Sequence, residues 1–394
     1  MIKKKYFAAA FALLGLAVLS GILLCPENDP SEKKPENPAV SDFSPRYAGN
    51  FRIEKKENFR ILNVKNALSE DGAPLQWLLI DSSQTQTPVP ASLALIPRVQ
   101  VPLKRSAILS TTYLGYMKAL GVTEHIAAVG DARYIADSLF FERVARGEVA
   151  EVGSGPSLSV EKLYRARAEA VLTFATGSSV NDDLTHLKKW SHPVILTAEW
   201  KEKSPLAKAE WLYFFGALYG KEALADSLFK ECERRYLELQ AKVKNLASER
   251  KPRVIAGAPS FGIWFAPPED SYTGALIRDA GGEYLFQKSS GTLSFEEALV
   301  LGAEAEVWLH PGGWKTRQEG EMQEKRVVHF KAWRENEVFQ YDLKQGPRGG
   351  LDYFESAVVS PEKVLQDAAK ILYPALFTEN DFEWYRKLAK LGDL

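Results

Sequence analysis

The side chains of this chain that can do chemistry are cations and large rings rather than nucleophiles. Arg133 and Arg348 carry planar guanidinium groups, which pair with anionic oxygens and stack on rings. Tyr113, Tyr134, Trp200, Trp264 and Trp314 offer flat apolar faces with one polar edge. Thr112 adds a hydroxyl, and His310 follows the apolar run VWL, which reads as a strand ending at a cleft. That lining suits a large, flat or anionic ligand. Each aromatic also has a plain alternative as core packing. Asp131, Glu199 and His310 are the acid-base groups open to an enzyme. No nucleophile elbow, zinc-protease helix or EF-hand loop accompanies them, and no cofactor is expected. The five histidines are scattered without local metal-ligand spacing. Residues 216–222, GALYGKE, resemble a phosphate-binding loop but are one residue short and lack its Ser/Thr, so Gly220 reads as a helix terminator.

A second constellation is a repeat. Residues 158–172 read LSVEKLYRARAEAVL and residues 293–307 read LSFEEALVLGAEAEV. In each, a Ser starts a helix, a Glu occupies the first turn, and an apolar, strand-like run follows. Ser159 and Ser294 are N-caps, and Glu161 and Glu296 complement the helix dipole. Capping alone does not require the same acid in both copies. Exposed acids at matched places on two lobes also suit a two-fold symmetric, basic partner. Both readings stand at this point.

The elements that must position these groups are read from periodicity. Residues 51–102 alternate short apolar runs with turns and predict a few antiparallel strands, a small cap. From residue 105, AILS, IAAVG, AVLTFA and PVILTA alternate with stretches of helical length, implying parallel strands joined by right-handed crossovers. Residues 221–248 place Leu224, Leu228, Cys232, Tyr236, Leu239, Val243 and Leu246 on one stripe of a helix roughly 40 Å long. Asp226/Lys230, Glu231/Arg235 and Glu238/Lys242 lie four apart on its wet face. After Pro252 the strands RVIAGA, EVWLH and VFQYDL and a helix from Pro361 to Leu372 repeat the plan.

The expected fold class is α/β, with two lobes of parallel sheet flanked by helices, one long rigid joining helix and a ligand cleft between the lobes. The segments are 1–25 (anchor), 26–46 (tether), 47–103 (β-rich extension), 104–220 (first lobe), 221–250 (joining helix) and 251–394 (second lobe).

With 394 residues and 45% hydrophobic content, the chain can bury one large core or two moderate ones. A net charge of −1 gives no basic field for nucleic acid. Cys25 and Cys232 are the two cysteines, too few for a disulfide framework, and Cys232 lies on the helical stripe as buried filler. Lys3, Lys4 and Lys5 precede an apolar run over residues 6–24 that ends at Cys25, an export signal. Cys25 in that place is the acylated residue of a lipoprotein, although Leu24 stands where a small residue is usual. The run is also long enough to stay as an uncleaved anchor. Either way the body is tethered to a membrane, outside the cytoplasm. The following PENDPSEKKPENPAVSD cannot offset its ordering entropy by burial and reads as a flexible tether.

Residues 105–377 resemble the periplasmic substrate-binding proteins of ABC importers for iron-siderophore, haem and cobalamin, in particular lipoprotein members of the Bacteroidetes type. The stretches that carry the resemblance are RSAILSTTYLGYMKALGV, PLAKAEWLYFFGALYGKEALADSLF, SYTGALIRDAGGEYLF and GGLDYFESAVVSPEKVLQDAAKILYPALF, with the opening YAGNFRIE. It implies two lobes on one rigid helix, little closure on binding, and a monomer. It further implies that Glu161 and Glu296, or Glu297 beside the latter, meet arginines of a permease dimer driven by an ATPase. The ligand it implies is a metal chelate: ferric siderophore first, then corrinoid, then haem. Arg348, in QGPRGG, puts a charge where a small or polar residue is usual. Two other readings are a periplasmic chelate-processing enzyme and a surface receptor that reuses the fold.

Overall fold

The first element is a four-stranded sheet made of Phe51–Lys55, Arg60–Val64, Leu75–Asp81 and Arg98–Val101, in that order. The computed structural model describes residues 43–66, 72–84, 88–177, 182–246, 250–377 and 381–389, so Cys25 and nearly all of the tether lie outside the described residues. The first two joins of the sheet are antiparallel and the third is parallel. An all-antiparallel cap was expected. The chain instead returns before its fourth strand through two short 3-10 turns, Ser82–Gln84 and Ala91–Leu93, rather than by a tight hairpin. One face of the sheet sends Phe51, Trp77 and Val99 into the main core, and Phe51 packs on Trp211 and Phe214. The other face holds a small cluster around Ile61, Leu78 and Ile80. Trp77 also donates its indole N–H to the Val194 carbonyl at 2.9 Å, fastening the sheet to the next lobe.

The first lobe is a five-stranded parallel sheet with the order Ala150–Glu151, Ile126–Val129, Ser106–Ile108, Ala170–Phe174, Val194–Thr197. Its strands are covered on both faces, which is why they read as unbroken apolar runs. The second lobe has the order Glu283–Tyr284, Arg253–Ala256, Val307–Leu309, Val338–Gln340, Arg386–Lys387, with only the last strand antiparallel. The repeated segments occupy the same place in both. Helix Val160–Arg165 feeds a strand beside the lobe's first strand, and helix Phe295–Gly302 does likewise.

The joining helix is Glu222–Leu246, 25 residues. Its buried positions are Ala225, Phe229, Cys232, Glu233, Tyr236 and Val243. Cys232, Tyr236 and Val243 of the expected stripe are among them, and Leu228 and Leu239 pack half-buried on the core, but the face is rotated toward Ala225 and Phe229 and Leu224 is exposed. The rotation follows from its neighbours, Leu212–Tyr219 on one side and Pro361–Leu372 on the other. At Gly216 an added Cβ would lie 2.9 Å from the Ala225 methyl, so glycine permits the first of these approaches. Gly220, at φ 65°, ends the preceding helix in the left-handed region. Asp226–Lys230 and Glu231–Arg235 pair at 2.8 and 2.6 Å, whereas Glu238 takes Arg234 at 2.7 Å instead of Lys242.

The lobes meet along a seam of backbone contacts. Helix Thr112–Ala119 lies against residues 352–359, where a Cβ on Gly115 would sit 1.9 Å from the Glu355 carbonyl oxygen. Gly346 and Gly350 in turn lie against the backbone of Ile135 and Tyr134. Contact this close leaves no room for side chains and resists relative motion of the lobes.

Candidate functional site

Each parallel sheet carries a cavity at the carboxyl ends of its strands, where open α/β sheets hold their ligands. The first-lobe cavity, about 260 Å³, is lined by Ser110, Thr111, Asp131, Tyr134, Ser154 and Asp183, among others. Its charges are acidic. Asp183 is buried, accepts the Gly155 amide and the Thr173 hydroxyl, and has its pKa raised by burial. Asp131 is held low by its hydrogen bonds from Arg133, whose guanidinium lies 2.6 Å away.

The second-lobe cavity, about 390 Å³, has aromatic walls and the opposite polarity. Phe265, Tyr272, His310, Tyr341 and Tyr353 line it, with the Tyr341 and Tyr353 rings stacked at 4.6 Å. His310 ends strand Val307–Leu309 at φ 59°, a costly conformation for a residue other than glycine, held by its amide bond to Phe339 at 2.9 Å. Its Nε2 meets the Tyr385 hydroxyl at 2.7 Å, and burial pushes its pKa down to about 3. At neutral pH the imidazole is uncharged. Lys208, from helix Pro205–Ala209, also lines this cavity. Its ammonium lies 5.7 Å from the Tyr272 ring centroid.

Two of the expected ligand residues, Tyr134 and His310, line these cavities. The others lie elsewhere. Thr112 opens its helix one residue after the lining Thr111. Tyr113 is fully buried, with its hydroxyl 2.7 Å from that of Thr197. Arg133 is exposed and committed to Asp131. Trp200 is 40% exposed beneath the Lys201 ammonium. Arg348 stacks over Phe141, 5.3 Å from its centroid, across the seam. Trp264 and Trp314 are core residues. Strand Ile263–Phe265 alternates exposed, buried, exposed, so Trp264 faces Trp308, Phe286 and Phe330 while Phe265 faces the cavity. Trp314 packs on Trp308 and Trp333.

The residues that sequence reasoning passed over are Lys208, Tyr272, Tyr341 and Tyr353. For Lys208 there was a trace, one cation inside the otherwise apolar PLAKA helix. The three acid-base groups do not converge. Asp131 lines one cavity, His310 the other, and Glu199 is buried with its carboxylate on the Thr197 hydroxyl at 2.5 Å. Among the described residues, no group of His, Cys, Asp and Glu is arranged to hold a metal ion.

Outside the cavities, Glu161 and Glu296 are largely exposed and paired with Arg165 and Arg326 at 2.7 and 2.6 Å. Ser159 and Ser294 cap their helices as expected. Glu297 completes a capping box, accepting the Ser294 amide and hydroxyl at 2.8 Å each, so its carboxylate is committed to the helix and that of Glu296 is not.

Among the described residues, no helix is long and apolar enough to cross a membrane. An uncharacterized lipoprotein of Methanocaldococcus jannaschii is 24% identical over 303 residues, 73% of this chain and 70% of that protein. A periplasmic heme binding protein of Pseudomonas aeruginosa has the same fold, with a TM-score of 0.55 at 14% identity over 73% of this chain and 98% of that one. A possible iron-binding periplasmic solute-binding protein of Staphylococcus epidermidis gives 0.53 at 15% identity, covering 68% and 98%. CeuE of Helicobacter pylori with Ni(II) bound gives 0.54 at 12% identity, covering 72% and 88%. The periplasmic binding protein family model matches residues 107–344, more than half of the chain, and the protein belongs to that family.

Proposed function

We propose that this protein is the substrate-binding component of an ABC importer that holds a metal chelate between its lobes and delivers it to a membrane permease. The observation that carries the reading is the pair of cavities at the carboxyl ends of two parallel sheets. The glycine-lined seam supports a carrier that moves little on binding. Relatives of the same fold are described as binding iron, heme or nickel, which supports a metal-centred ligand. Ferric siderophore ranks first, because a catecholate or carboxylate chelate is anionic and suits the aromatic, basic second-lobe cavity. Corrinoid and haem follow. Glu161 and Glu296 are the acids offered to arginines of the permease, and Cys25 is the residue offered for acylation.

The test is equilibrium dialysis of the full-length protein in mild detergent against a ferric tris-catecholate complex, haemin and cyanocobalamin. Saturable one-to-one binding of one of them, with the chelate recovered unaltered, is the expected result. Absence of binding at micromolar concentration across the panel removes the reading, and recovery of altered chelate turns it toward an enzyme.

A further inference from the structure

The two cavities differ in charge: two aspartates line one and a single lysine lines the other. The first-lobe cavity is lined by Asp131 and Asp183 with no Lys or Arg. The second-lobe cavity is lined by no Asp or Glu, and its histidine is neutral, so Lys208 is its single formal charge. Among the described residues the Lys208 ammonium has no hydrogen-bond acceptor and no ion-pair partner. What it meets is the face of Tyr272, 5.7 Å away. Glu199 pulls on it electrostatically, but the Glu199 carboxylate is buried and hydrogen-bonded to Thr197.

Lys208 is half-buried and its ammonium reaches the cavity, yet protein surrounds most of it, and a largely desolvated charge without an acceptor costs stability. Burial accordingly lowers the pKa of Lys208 and raises that of Glu199. Each member of this distant pair is pushed toward its neutral form. A group kept at such cost on the wall of a cavity fits a partner that arrives from outside.

We propose that Lys208 is the anion seat of the cleft: its ammonium receives a carboxylate or phenolate oxygen of the ligand in the second-lobe cavity and selects anionic chelates over neutral ones. The inference rests on the solute-binding reading and deepens it.

The experiment compares the full-length wild type with K208M and K208R. Binding of ferric tris-catecholate, haemin and cyanocobalamin is measured by equilibrium dialysis, and ligand-free thermal unfolding is followed in parallel. The expected pattern has opposite signs. K208M weakens the anionic chelate about 10- to 100-fold, the worth of a hydrogen bond to a charged group. Yet ligand-free K208M melts no lower than wild type, because a largely desolvated charge without a partner has been removed. K208R keeps most of the affinity. Binding of an anionic chelate equally tight in K208M, or binding of neutral cyanocobalamin alone, overturns the anion seat and leaves the solute-binding reading intact. A fall in both melting temperature and affinity in K208M makes the lysine structural and also overturns it. No binding by wild type at all removes the solute-binding reading, and the anion seat with it.

Discussion

The carboxylate of Glu355, in the second lobe, accepts the backbone amide of Ala136, in the first, at 2.8 Å. Its other oxygen accepts the Asp137 amide at 3.1 Å. One buried side chain therefore bridges the seam that the glycines bring together, and it does so close to Asp137, Asp352 and the Lys118 ammonium. Burial, with the two neighbouring aspartates, raises its pKa from the ordinary 4.5 to about 7.

A pH dependence follows. Between these two values the folded protein retains a proton that the unfolded chain releases, so stability falls as pH rises through that window. The contribution is present below pH 4.5 and lost as pH passes about 7. The span corresponds to about 3 kcal/mol at about 1.36 kcal/mol per tenfold change in proton affinity. E355Q removes this slope. It also leaves one amide facing an NH2 group, at a cost of about 1–3 kcal/mol. Thermal unfolding of wild type and E355Q from pH 5 to pH 8 checks both, and parallel pH profiles would remove Glu355 as the titrating latch.

The second prediction concerns Trp264. It is fully buried, donates its indole N–H to the Ala256 carbonyl at 3.0 Å, and touches Trp308, Phe286, Phe295 and Phe330. W264A is expected to cost about 3–5 kcal/mol in urea unfolding, with chelate affinity changed less than about threefold where the variant is folded. F265A is expected to behave in the opposite way, with weakened binding and little loss of stability. Equal effects of the two substitutions on binding would return Trp264 to the cleft.

These neighbours show what was legible in the sequence and what was not. RVIAGA and AVLTFA announce buried parallel strands because both faces are covered, and helix Pro361–Leu372 is bounded by its own proline and stripe. The hairpin of Ala258–Ser260 and Ile263–Phe265 gave no such cue. Its two-residue turn is Phe261-Gly262, at φ 50° and 80°, where Asn-Gly would have been the recognisable pair. Without the hairpin the parity of Trp264 and Phe265 is undetermined, and the larger ring is the one that reads as a cleft residue. The two-residue strands Ala150–Glu151 and Glu283–Tyr284 are too short to show a period. Lys208 and Tyr353 come together from positions 145 residues apart (353 − 208), which no local pattern encodes.

A third prediction concerns the start of the described chain. Five consecutive backbone amides are held by two buried glutamates: Arg46, Tyr47 and Ala48 on Glu210 at 2.7–2.8 Å, Gly49 and Asn50 on Glu202 at 3.0–3.1 Å. Arg46 and Tyr47 also hold Glu233 on the joining helix. The segment next to the tether is thus strapped across the helices rather than left to swing. E210A strips three amides of their acceptor and is expected to cost about 1–3 kcal/mol. It should also speed hydrogen exchange at residues 46–48 well before the lobes respond. Unchanged exchange there would mean that packing alone holds the strap.

The last prediction separates docking from capping at the repeated helices. Exposed ion pairs such as Glu161–Arg165 and Glu296–Arg326 contribute only about 0–1 kcal/mol, so an arginine from a permease can displace either internal partner at little cost. Glu297 cannot change partners so freely, since its carboxylate closes the Ser294 capping box. The double variant E161R/E296R should therefore keep its stability within about 0.5 kcal/mol per site and its chelate affinity within about twofold, while uptake by cells is abolished. E297A should do the reverse, losing stability through the opened capping box with uptake retained. Uptake assays beside purified-protein unfolding and dialysis distinguish the two. If E161R/E296R transports normally, the matched acids are remnants of duplication that serve their helices, and the fold has been put to use without a permease.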